Sequence, residues 1–122
     1  MRLLNVFAAL SGALALIMLV LVAHALRLPP PDAERMQLGA FIQLAAGAAG
    51  LAIANRNGKL NLVAGAMILA GAAIFSGTLY AFSLTGARSF VMLAPVGGMT
   101  LILGWIVLAF AAPGTRNPPP AS

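Results

Sequence analysis

Four stretches of this chain, residues 3–26, 36–55, 60–87 and 89–115, contain no Asp, Glu, Lys or Arg. Each has at least the roughly 20 helical residues that cross about 30 Å of hydrocarbon. A charge at the centre of such a helix would cost about 2.5–3.5 kcal/mol on the insertion scale, which accounts for the exclusion. The runs are continuous and do not alternate, so a transmembrane barrel is excluded. They predict an all-α integral membrane protein, a bundle of four transmembrane helices over approximately 3–26, 33–55, 60–85 and 89–112. The helical domain then fills residues 1–112, and the Pro-rich tail 113–122 is expected to be flexible, extended and solvated.

Composition agrees, with 61% hydrophobic and 7% charged residues where a soluble domain carries about 25% charged. Cysteine is absent, so disulfide and thiolate chemistry are excluded. The net charge of +5 does not point to nucleic acid, because the Lys and Arg residues stand singly at the ends of apolar runs, where cations meet lipid headgroups.

Short connections place neighbouring helices antiparallel, in an up-down-up-down order with both termini on one side. In "RLPPPDAER" the three prolines are expected to prevent helix, with Asp32 capping the second helix. Asn57 and Gly58 suit the turn before the third helix, Gly86 its end, and Ser89 the cap of the fourth. Ala23-His24-Ala25 has the form of a signal-peptide cleavage site, but the run before it exceeds an ordinary signal core, so the first helix is expected to stay. With the N-terminus inside, Arg2, Arg56, Lys59 and Arg116 face the cytoplasm and Arg27, Arg35 and Arg88 face out. That count leans towards both termini being cytoplasmic.

Lipid gives helices no hydrophobic reward for meeting, so close packing of small residues and interhelical hydrogen bonds must hold the bundle. The second helix offers Ala46, Gly50 and Ala54, with Gly39 and Gly47 beside them. The third offers Ala73, Gly77 and Ala81, and the fourth Ala94 with Gly98 and Thr100 with Gly104. These stripes read as bundle interior. In "IFSGTLYAFSLTG" the hydroxyls of Ser76, Thr78 and Ser83 can bond their own helix or a neighbour. Tyr80 lies deep enough to need a partner. Pro95, about a turn inside the fourth helix, is expected to free a carbonyl and kink or open the helix beside Gly97 and Gly98. Tyr80, Ser83 and Thr85 are expected to satisfy the groups that Pro95 loosens.

His24, Asp32 and Glu34 are the sole histidine and acids, and all three fall on one side of the membrane. They form a candidate titratable cluster, with no ligand spacing that assigns a metal. Gln43, inside the second helix, reads as an interhelical hydrogen bonder. No nucleophile–base pair, phosphate loop or cofactor motif occurs in the spans, so no enzyme activity is expected. A proton-coupled multidrug carrier needs an ionisable group in the membrane, and the spans hold no carboxylate.

"FSGTLYAFSLTG" followed by "APVGGMTLILGW" resembles the signature of the small membrane proteins catalogued as domain of unknown function 423, which include YgdD-like inner-membrane proteins. The resemblance covers residues 74–110, and "AHAL" at 23–26 is similar to the ending of the family's first helix. It implies four membrane helices and a shared motif of Ser76, Gly77, Tyr80, Thr85, Gly86, Pro95, Gly97 and Gly98. Two departures stand out: branched residues in "LVLVAH" replace the family's glycines, and Ile42-Gln43 stands where the family has a Tyr-His pair.

The leading functional reading is a structural or interaction module of a bacterial-type inner membrane, associating with lipid, with a second copy or with another membrane protein. The alternatives are a carrier or pore for a small neutral or lipophilic solute, and a lipid-associated stress protein.

Overall fold

The structure is a computed structural model and describes residues 2–25, 27–56, 58–86 and 91–111. Four α-helices run through them: α1 (Arg2–Val20), prolonged by a π-helical turn at Leu21–Ala25, then α2 (Pro30–Ala54), α3 (Lys59–Thr85) and α4 (Leu93–Phe110). All four are long and apolar enough to span a membrane, at 24, 25, 27 and 18 residues with the π turn counted in the first. There is no strand among the described residues. The protein is an integral membrane bundle of four helices.

The helices pack in chain order. α1 lies on α2, α2 on α3, and α4 touches α3 alone among the described elements, with only a slight contact between α1 and α3. Close approaches run in opposite senses along each neighbouring pair: Gly12 faces Leu44 while Gly47 faces Ala8, and Gly71 faces Leu101 while Gly104 faces Ile68. That pattern is consistent with the up-down order.

Glycines make these approaches. A Cβ on Gly47 would lie 2.8 Å from the Ala8 carbonyl oxygen, and one on Gly97 would lie 2.6 Å from the Phe75 nitrogen. No real Cβ is accommodated at such distances, so backbone meets backbone at α1–α2 and α3–α4, which is how helices gain contact where lipid supplies no hydrophobic drive. The smooth face of α1, made by Ala8, Gly12 and Ala15, escapes the sequence reading because it sits among leucines. Ala8 and Ala15 are nevertheless fully buried.

The α3 stripe differs from expectation. Ala73 and Gly77 are exposed, and the buried face carries Ala64, Gly65, Ile68, Gly71, Ala72, Ser76 and Tyr80. Both faces of this helix are apolar and small, so spacing alone does not tell the interior from the lipid side.

The start of α2 is a second correction. The prolines of the connection open the helix instead of preventing it: Pro29 is the cap and Pro30 and Pro31 are the first helical residues. First-turn N–H groups have no intrahelical acceptor, so prolines lose nothing there and supply the right φ. Asp32 therefore sits inside the first turn, where its charge suits the helix dipole, and is not the cap. α3 closes with Gly86 at φ 71, its N–H donating to the Phe82 carbonyl at 2.8 Å. Asn57 and Ser89, expected at the other two connections, lie outside the described residues, as do Arg88 and the tail.

Candidate functional site

Polar side chains of α1 and α3 converge on the middle of α2. Ser76 of α3 donates its hydroxyl to the Gly39 carbonyl at 2.6 Å, and one turn later Tyr80 donates to Gln43 Oε1 at 2.7 Å. From the opposite side Ser11 of α1 donates to the Gln43 carbonyl at 3.2 Å. Gly39 makes room for this: a Cβ there would be 3.3 Å from the Tyr80 ring. Ser76, Gln43 and Tyr80 are buried, at 1%, 6% and 9% exposure. Three helices are thus tied at one level by side chains that would otherwise face hydrocarbon unpaired.

This geometry corrects the expectation for Pro95. Pro95 is the third residue of α4, in the turn whose N–H groups have no partner in any case, and the Val91 carbonyl accepts from Ala94 at 3.1 Å. No carbonyl is loosened, and the Tyr80 hydroxyl is engaged with Gln43. Thr85 and Thr78 bond back to the Ala81 and Ile74 carbonyls of their own helix. The Ser83 hydroxyl, 6% exposed, has no hydrogen-bond partner among the described residues.

The shared motif is thereby divided. Ser76 and Tyr80 tie α3 to α2, and Gly97 seats α4 on α3. A Cβ on Gly98 would find ordinary contact with Phe75 at 3.7 Å, and one on Gly77 would meet nothing within 4 Å. Thr85 is the last residue of α3 and Gly86 its cap.

The titratable cluster is not assembled. Asp32 pairs with Arg35 at 2.7 Å, the Arg35 guanidinium lies 4.3 Å over the Phe82 ring, and His24 and Glu34 are exposed. The described residues hold no group of three His, Asp or Glu able to share a metal. Asp32 prefers the cation three residues on, because the first turn of α2 places them side by side. Arg35 on Phe82 is a cation–π contact that anchors α2 to the end of α3.

Gln43 also borders a groove of about 550 Å³ between α1 and α3, walled by residues such as Phe7, Leu10 and Leu69. A shallower cleft of about 330 Å³ runs along α3 beside the start of α4, over Ala73, Gly77 and Ala81. The hydrogen-bond tie and the groove are invisible to spacing along one helix, since each needs the register between helices.

The model of a family described as protein of unknown function (DUF423) matches residues 20–98. Relatives are UPF0382 membrane proteins. One from Staphylococcus epidermidis is 42% identical over 48 residues, 39% of this chain and 39% of the relative. One from Haemophilus influenzae is 39% identical over 44 residues, 36% of each chain. The protein YwdK of Bacillus subtilis is 39% identical over 49 residues, 40% of each. The matched segments therefore cover about two fifths of those relatives' length. No solved structure matches.

Proposed function

The chain belongs to the DUF423 family of membrane proteins, and from that premise we propose that it is an interaction module, a rigid helical unit on which another membrane helix docks. The observation that carries this reading is the uncovered small-residue stripe of α3. Ala73, Gly77 and Ala81 line a cleft that no helix among the described residues fills, although α4 packs on the same helix. Small residues four apart let a second backbone approach, and in lipid that approach is what associates helices. Buried ties between α1, α2 and α3 keep the surface from deforming when a partner arrives. The partner is a second copy or another membrane protein. The reading is non-catalytic and sets the module in a bacterial inner membrane with both termini cytoplasmic.

Gly77→Leu tests it. A Cβ at Gly77 meets nothing within 4 Å and the rest of the leucine enters the open cleft, so the fold is expected to be unchanged or slightly steadier, leucine being the better helix former. Energy transfer between labelled copies in vesicles, or recovery of the partner in mild detergent, is expected to fall with the variant. Undiminished association in both measurements would remove α3 as the docking face.

A further inference from the structure

The groove between α1 and α3 has a feature that packing leaves unused. Phe7 and Leu10 form one wall, Leu69 and Ala73 the other, and Ser11 and Gln43 are its polar lining residues. At about 550 Å³ it falls in the range of small-molecule sites, roughly 300–1,000 Å³. Gln43 is only 6% exposed, yet its groups are not all satisfied. Its Oε1 accepts from Tyr80 and its backbone carbonyl from Ser11, while its carboxamide nitrogen donates no hydrogen bond among the described residues. Gln43 is itself a lining residue of the apolar groove, so its two amide N–H groups are the donors it has left to offer there. Leaving such a group unpaired costs about 1–3 kcal/mol, so an acceptor placed there gains an interaction that hydrocarbon does not offer.

Depth selects the acceptor. Gln43 lies well inside the charge-free run 36–55 of α2, about 10 Å from its first residue and about 18 Å from its last at 1.5 Å per residue. Phospholipid ester groups sit at the edges of the roughly 30 Å hydrocarbon layer and do not reach that level. A charged acceptor is disfavoured there by several kcal/mol on the scales for buried ions. We infer that the groove binds a neutral lipophile carrying a carbonyl oxygen on an apolar body, and that the Gln43 amide donates to this oxygen inside the hydrocarbon layer. The site goes beyond the docking role of α3 and does not depend on Gly77.

The test uses the full chain, labelled with nitrogen-15 at glutamine, in phosphatidylcholine nanodiscs. The sequence has two glutamines, and exposed Gln37 serves as the internal reference for Gln43. Decylbenzoquinone is compared with decylbenzene, which matches its body and lacks its oxygens. The quinone is expected to shift the Gln43 side-chain signals saturably, leave Gln37 in place, and bind up to about ten-fold more tightly than the hydrocarbon, the worth of one hydrogen bond. Gln43→Leu should make the two probes equal. If that variant does not fold, Ala70→Phe decides instead, since Ala70 is an exposed wall residue and filling the groove there should abolish quinone binding while the Tyr80–Gln43 bond stays. Equal affinity for both probes in the native chain, an unmoved Gln43 signal, or quinone binding that survives Ala70→Phe would overturn the site and leave a groove for acyl chains.

Discussion

Tyr80 holds its hydroxyl over the Gln43 carboxamide, and what that bond is worth depends on what replaces it. Interhelical hydrogen bonds in membranes average about 0.6 kcal/mol and reach about 1.7, because the separated helices find other partners. Tyr80→Phe removes the donor and leaves Gln43 Oε1 buried without one, so a loss of about 1 kcal/mol is expected, measured by reversible unfolding in mixed micelles. Ser76→Ala, which frees the Gly39 carbonyl, should cost a similar amount, and an unchanged unfolding midpoint in both variants would contradict the tie. The neighbouring glycines of α4 give a sharper contrast. Gly97→Ala puts a Cβ 2.6 Å from the Phe75 backbone and should cost about 2 kcal/mol or lift α4 away, as overpacking does. Gly98→Ala meets Phe75 at 3.7 Å and should be neutral or stabilising by up to about 1 kcal/mol, the helix-propensity difference. Matching losses at the two positions would show that α4 does not sit on α3 through Gly97.

At the scale of the elements, Pro95 loses the part that its sequence context assigns to it. As the third residue of α4 it interrupts no intrahelical bond, so Pro95→Ala should change stability by less than about 0.5 kcal/mol. Circular dichroism and the unfolding midpoint check this, and a large gain in helix would mean that the proline does open α4. The same element shows why some of the fold could be read from the residues and some could not. Exclusion of charge is a local property, so four spans are visible in the runs themselves. The face a span turns inward is not local when every side chain is apolar. Ala73-Gly77-Ala81 and Ala64-Ile68-Ala72 are equally plausible interiors by spacing, and the structure buries the second. Pairing Tyr80 with Gln43 requires the offset between α2 and α3, which no single helix encodes. Asp32 was readable as a helix-start residue, but its position relative to the cap depended on how far proline can reach into a first turn.

Across the whole molecule, the order of packing matters more than the number of helices. Among the described residues α4 rests on α3 alone and α1 reaches α3 only slightly, so the four helices form a row whose outer members have open sides. A closed ring would bury α1 against α4 and leave little surface for a partner, whereas a row exposes the α3 cleft and the α1–α3 groove together. The absence of cysteine in the sequence makes this directly measurable, because introduced pairs meet no background thiol. Phe75→Cys with Gly98→Cys should crosslink within one chain in vesicles through a short bifunctional thiol reagent, because a Cβ at Gly98 would touch the Phe75 side chain at 3.7 Å. Leu10→Cys with Ile106→Cys, on the exposed sides of α1 and α4, should not crosslink within a chain, since those helices do not touch. Dilution into excess lipid separates the cases. A Leu10–Ile106 bridge that persists on dilution is intramolecular and closes the ring, and one that fades with dilution joins two copies side by side along the open faces.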